Sequence, residues 1–271
     1  HEICPLSWSA LSLWILRGEY LMIQQIQLVL SPPTDVRIPQ SWSYRLYGWL
    51  MSQISSEFGE QMHLQGEHPI AHFLCFSPEK QSLIWTVNLL NDAARQVVFP
   101  VLESAKEIPL HELTLPISEV RTFPAISAEE LIRSGRTRTE TRAKIAFLSP
   151  CAFKQSGRYA IFPQETLLLQ SLTAHWNAAF PEYALTDDDA LLALQRGLHI
   201  VDYNLRSTRY PLKKPRIPSF QGSKRVEAHL APPLLELWNA LLSFAPYGGV
   251  GIKTTLGMGG TVCSIGRTGA P

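Results

Sequence analysis

An α+β fold of two tandem halves, each with the element order βαββαβ, is what the sequence predicts. Three observations carry it. Short runs of β-forming residues alternate with segments of helical spacing. One full set of six elements closes by residue 121, and a looser set begins again at Ala143. Apolar residues make up 45% of the 271 positions and charged residues 17%, enough to build a core for both halves.

Ile23–Leu30 reads as a strand of β-formers stopped by Pro32 and Pro33. Tyr47, Leu50, Met51, Ile54 and Phe58 recur at helical spacing, with Ser41 or Ser43 as the cap. A loop with Gly59, Gly66 and Pro69 leads to strands at Ala71–Phe76 and Ser82–Leu89. Asn91–Glu103 reads as a second helix and Leu110–Arg121 as extended chain. That order is a ferredoxin-like unit.

In the second half, Ala143–Leu148 and Tyr159–Phe162 read as strands. Gln164–Ala178 is a helix with Leu167, Leu168, Leu172 and Trp176 on one face. Thr186 followed three positions later by Asp189 resembles a capping box opening another helix. Ile200–Leu205 and Arg225–Leu230 read as extended. Pro232 and Pro233 start a last helix with Leu234, Leu235, Trp238, Leu241 and Leu242 buried. A short strand at Thr261–Ile265 follows a glycine-dense loop. The halves divide as residues 22–142 and 143–271, joined near 124–142.

Residues 1–21 are expected to be an over-extended start. Ile3–Leu16 is too short for a span, and no basic residue precedes it as in a signal peptide. Arg17-Gly18-Glu19 can be encoded by a purine run like a ribosome-binding site, placing initiation at Met22. Cys4, Cys75, Cys151 and Cys263 are scattered with no C-x-x-C pair, which argues against a zinc knuckle and a secreted disulfide framework. No membrane association and a cytoplasmic location are expected.

Net charge is only +1, but it is segregated. Arg133, Arg136, Arg138, Arg142 and Lys144 share one stretch with the single acid Glu140. Arg206, Arg209, Lys213, Lys214, Arg216, Lys224 and Arg225 form another with none. Either stretch alone reads as solvated surface; together they point to a phosphate-binding track on loops or edge strands.

Residues 248–260 contain Gly248, Gly249, Gly251, Gly257, Gly259 and Gly260 around Lys253, Thr254 and Thr255. Glycine admits positive φ and lets backbone amides approach a phosphate. A P-loop requires glycine where Ile252 stands, and a dinucleotide fingerprint requires one at Thr254, so both nucleotide readings fail. A structural glycine turn is the alternative. The segment Ala245–Gly259 resembles the signature loop of the CRISPR repeat-processing endoribonucleases of the RAMP superfamily. Ser149–Lys154, Leu172–Asn177, Phe220-Gln221-Gly222, Tyr44–Gly48 and Gln61-Met62-His63 resemble further family segments in the right order, so the likeness runs from Met22 to about Ile265. The resemblance implies a tandem ferredoxin-like, RRM-like fold, recognition of an RNA stem and cleavage on the 3′ side of the repeat hairpin.

Such cleavage needs a base for the 2′-hydroxyl proton, an acid for the departing 5′ oxygen and a cation at the phosphate; histidine suits both proton transfers without a metal. His63 occupies the family's catalytic position, and His68, five residues on, is its partner or a substrate contact. His72 falls in an apolar strand pattern and is structural. Met51 and a position near Pro69 stand where some members carry a tyrosine and a lysine, so the cation is left open among Lys253, Arg136 and Arg138. The spacing of His68 and His72 fits a helical metal pair, but Pro69 and the strand context argue against a metal site. No cofactor is expected. The partner is CRISPR precursor RNA, with a CRISPR effector complex also open. A non-catalytic RAMP-type RNA-binding subunit is the alternative function, and a globular protein unrelated to RNA the third.

Overall fold

A computed structural model describes residues 21–33, 36–54, 69–77, 82–111, 113–212 and 216–266. In chain order the strands are β1 (Met22–Leu30), β2 (Ile70–Ser77), β3 (Ser82–Leu89), β4 (Glu107–Pro109), β5 (Thr114–Thr122), β6 (Ile126–Ser127), β7 (Arg142–Cys151), β8 (Phe153–Gln155), β9 (Arg158–Ala160), β10 (Leu198–Tyr210), β11 (Ile217–Ala228) and β12 (Thr261–Ile265). The helices are α1 (Ser43–Gln53), α2 (Asp92–Ser104), α3 (Ala128–Arg136), α4 (Glu165–Ala179), α5 (Asp188–Gly197) and α6 (Pro232–Gly248).

Two antiparallel sheets organise these elements. The first runs β2-β3-β1-β5-β4, the second β10-β11-β7-β12. Counting β1, β2, β3 and β5 as the four strands of one unit, and β7, β10, β11 and β12 as those of the other, both orders are 4-1-3-2. The two ferredoxin-like halves expected from the element order are present. Each sheet buries one face under its helices. Ala94, Val98 and Leu102, four apart on α2, are fully buried, and Asn91 accepts from the Ala94 amide at 2.8 Å to cap that helix. In the second half Leu168, Leu172 and Trp176 of α4 pack with Leu241, Leu242 and Phe244 of α6. Ile23, Ala71 and Leu90 of the first half join that same cluster, so apolar packing continues across the two halves.

Several local expectations are corrected. Residues 128–136, within the stretch that joins the halves, form α3, a helix not expected there. Ser127 and Glu130 make a reciprocal capping box, a signal legible in the Ser-x-x-Glu spacing. At Gly135 a Cβ would lie 2.4 Å from the Glu236 carbonyl, so only glycine lets α3 cross α6 this closely. Ser43 is not a cap: its hydroxyl donates to Gln40 O at 2.8 Å, and a 3-10 turn (Gln40–Trp42) precedes the helix. Asp187, not Thr186, caps α5. β9 pairs with β8 in a separate hairpin whose turn, Ser156-Gly157, has positive φ at both residues. The basic stretches are not loops or edges alone, since β7 and β11 are the interior strands of their sheet.

Candidate nucleic-acid interface

The uncovered faces of the two sheets meet in a cleft of about 1410 Å³. Strand alternation sets its lining. On β7, Ala143, Ile145 and Phe147 turn to the core, while Lys144, Ala146 and Leu148 line the cleft. On β1, Ile26 and Leu28 are buried and Gln25 and Gln27 face the opening. Asn204, Arg206, Gln221 and Ser223 contribute from β10 and β11, and Arg37, Gln40, Phe73 and Phe76 from the first half. Three cations, Arg37, Lys144 and Arg206, line it; among the described residues no carboxylate does. The sides are joined by Gln40, which donates to Leu148 O at 2.6 Å and accepts from Gln221 at 3.2 Å.

The glycine loop lies at one end of the interface between the halves and is held from all sides. The Gly251 amide donates to Ser171 Oγ at 2.7 Å, that of Ile252 to Ala152 O, that of Gly259 to Pro150 O, and that of Gly260 to Ser149 Oγ. Cys151 Sγ donates to Val250 O at 3.1 Å, and His175 Nδ1 lies 3.0 Å from Gly249 O. Tyr210, at the end of β10, donates to Leu256 O at 2.6 Å and lies 2.9 Å from Ser43 Oγ of α1. Gly249, Gly251, Gly257 and Gly259 all have positive φ. A Cβ at Gly257 would collide with Ser43 Oγ, and one at Gly260 with the Phe73 ring. Close protein packing thus accounts for glycine at these places. Lys253, itself left-handed at φ 59°, is the exposed residue of the turn.

His72 fastens this loop to β2. Its Nε2 lies 2.9 Å from Thr255 O, Trp85 Nε1 donates to its Nδ1 at 3.3 Å, and Tyr47 stacks on the ring at 5.1 Å. These partners require the neutral ring with the proton on Nε2. Burial pushes its pKa down to about 4, against the opposing pull of the Thr255 carbonyl.

His63, His68, Lys213 and Lys214 lie outside the described residues. Of the other expected contacts, Lys224 is a correction: it is 1% exposed, on the core face of β11, and its ammonium donates to Pro163 O at 2.8 Å. Burial lowers its pKa to about 7, with Glu165, Cys151 and Cys263 acting the other way. Arg136 reaches Glu236 at 3.6 Å, Arg138 donates to Ser243, and Arg142 pairs with Glu227 at 3.2 Å. Arg133 and Arg216 are exposed. Arg225 pairs with Asp202 at 3.1 Å and stands opposite Lys144 in the β11–β7 register, so the two basic stretches do meet there. Lys144 and Arg206, the ends of the two basic stretches, line the cleft; Arg37 is a cation that neither stretch contains, and no local pattern in the sequence signals it.

A family model described as "CRISPR-associated endoribonuclease Cas6" matches residues 145–261. The CRISPR-associated endoribonuclease Cas6 of Streptococcus thermophilus is 30% identical over 222 residues, covering 82% of this chain and 90% of that protein. This chain belongs to the Cas6 family. It is therefore an RNA nuclease by descent, and the glycine loop with strands β10 and β11 falls within the part the Cas6 model matches, which begins inside β7 and ends at the first residue of β12. The Mycobacterium tuberculosis Cas6 is 25% identical over 245 residues, covering 89% of this chain and 77% of the relative. A solved Thermus thermophilus Cas6 shares the fold at a TM-score of 0.72 and 24% identity, covering 91% of this chain and all of that one. No helix among the described residues is long and apolar enough to cross a membrane.

Proposed function

We propose that this Cas6 cleaves CRISPR precursor RNA within the repeat by attack of a 2′-hydroxyl on the adjacent phosphate. No metal is needed, and the products carry a 2′,3′-cyclic phosphate and a 5′-hydroxyl. The observation that carries the RNA part is the cleft: three cations and no carboxylate among its described residues, with amide side chains and phenylalanines to meet bases. Contacts from Arg37, Lys144 and Arg206 to the RNA phosphates would hold the strand, with Arg225, Arg216, Lys213 and Lys214 extending the track.

For the chemistry, His63 is the base that takes the 2′ proton, and His68 the acid that protonates the 5′ oxygen or orients the substrate. His72 is not a candidate, because its ring nitrogens already serve Thr255 and Trp85. Support for placing this chemistry beside the glycine loop comes from β2, where His72, four residues beyond His68 in the sequence, grips that loop with its ring. Exposed Lys253 on that loop is the cation favoured to stabilise the pentacoordinate phosphate. Work in the cytoplasm, alone or with a CRISPR effector complex, follows from that substrate.

The test is cleavage of the repeat RNA in EDTA. Cutting should persist and leave the cyclic phosphate, and a 2′-deoxy residue upstream of the cut should block it. Cleavage of that deoxy substrate would show a water nucleophile and end this mechanism. His63→Ala should lower the single-turnover rate by roughly a hundredfold or more while leaving RNA affinity nearly unchanged. If His68→Ala alone has that effect, the roles are reversed.

A further inference from the structure

Among the described residues, half of the exposed large apolar side chains fall in two short segments. Tyr159, Ile161 and Phe162 are 43%, 40% and 41% exposed, and Val201 and Tyr203 are 52% and 58%. The segments touch, with the Phe162 and Tyr203 rings edge to face at 5.5 Å. The patch is far from accidental in construction. Phe153 of β8 stacks on buried Phe220, which pins the β8–β9 hairpin over the sheet; alternation then turns Lys154 and its cross-strand partner Tyr159 outward. β10 is the edge strand, and Tyr203 lies opposite Lys224 in register, on the sheet face away from the cleft. Among the described residues nothing covers these rings.

Charge says what would cover them. Residues 154–163 include Lys154 and Arg158 and no acid, and Arg209 shares the face of β10 that carries Tyr203. Asp202 is on the opposite face, paired with Arg225, and the Glu165 carboxylate accepts from the Ile200 amide at 3.0 Å. Flat aromatic rings with cations alongside suit a single strand: each base offers a π-face and each link a phosphate. A purely hydrophobic partner would have no use for the three cations.

We propose that this surface is a second RNA site, which stacks unpaired nucleotides flanking the repeat on Tyr159, Phe162 and Tyr203 while Lys154, Arg158 and Arg209 contact their phosphates. It rests on the RNA reading above but uses none of the cleft or glycine-loop residues. Bases stack on the rings without sequence preference, so the site reads the presence and length of a single strand.

The experiment compares binding of two repeat RNAs, one hairpin with its single-stranded flanks and one trimmed to the stem, by the wild type, Phe162→Ala/Tyr203→Ala and Lys154→Gln/Arg158→Gln. The flanks should tighten binding by the wild type. The aromatic double variant should lose that advantage, on the order of tenfold for each stacking ring removed. Its affinity for the trimmed RNA should be unchanged, as should its cleavage of the flanked RNA at saturating protein. The charge variant should lose part of the same advantage and flatten its salt dependence. If the wild type binds both RNAs equally well, or the variants weaken both alike, the second site is refuted while the cleft remains. If the wild type binds neither, the RNA reading itself has failed. If light scattering shows a dimer that the aromatic variant abolishes, with no change in RNA affinity, the patch is a self-association surface and the proposal is overturned.

Discussion

The two halves share one strand order but join their second helix to their last strand in opposite ways. In the first half, residues 105–113 close on their own sheet: β4 pairs with β5, and Ile108 and Leu115 pack beneath. In the second half the equivalent connection, 249–260, crosses to the other half. Thr255 O meets His72, Gly257 meets Ser43, and Gly260 meets Phe73. Identical topology thus leaves one connection free to serve as the joint of the molecule. The glycines there are demanded by protein neighbours first, and any RNA contact is made by a loop already rigid.

The largest effect should come from breaking that joint. Gly257→Val or Gly260→Val places a side chain where Ser43 or Phe73 already sits, so each should cost about 3 kcal/mol or more of stability, read as a fall in Tm. Gly157→Val, also at positive φ but with open space around it, should cost less. Equal losses at Gly157 and Gly257, both at positive φ, would mean that φ alone, not the joint, explains the glycine at 257, while Gly260, outside that region, tests the contact with Phe73 by itself.

Next come the buried bases, one in each half. Both pKa values fall on folding, so the unfolded chain binds more protons and stability rises with pH wherever only the unfolded form is protonated. For Lys224 that window runs from about pH 7 to its ordinary 10.5; for His72 it runs from about 4 to 6.5. Unfolding free energy should therefore climb in two separate steps. Lys224→Met should remove the upper step, so that unfolding free energy no longer climbs between about pH 7 and 10.5. His72→Gln should remove the lower step and loosen the glycine loop, seen as faster amide exchange at 254–256. A single step unaffected by either change would refute the comparison.

Smaller effects should separate the cleft from the ion-paired basic residues. Lys144→Gln and Arg206→Gln should each lower the log–log salt slope of RNA binding by roughly 0.7, while Arg142→Gln, already paired with Glu227, should change it little. Smallest is Gly48→Ala on α1, where an added Cβ meets nothing. It should stabilise the first half by about 0.8 kcal/mol through helix propensity alone.

The order of elements was legible in the sequence because periodicity is local: the stripes of α2 and α4, and the alternation of β1 and β7, needed no partner to be read. The glycine loop was legible for the same reason, and α3 could have been, since Ser127 and Glu130 already spell its cap. What the sequence left open was sidedness. Alternation says that Lys144 and Ala143 face opposite ways, and that Lys224 and Arg225 do, but not which face the helices cover. That is decided by where α4 and α6 pack, and it sends Lys224 into the core and Lys144 into the cleft. A basic run therefore does not predict a basic surface. Likewise a run of glycines predicts positive φ and close approach, but whether the approaching atom is a phosphate or a serine of α1 is settled only when the second half docks on the first.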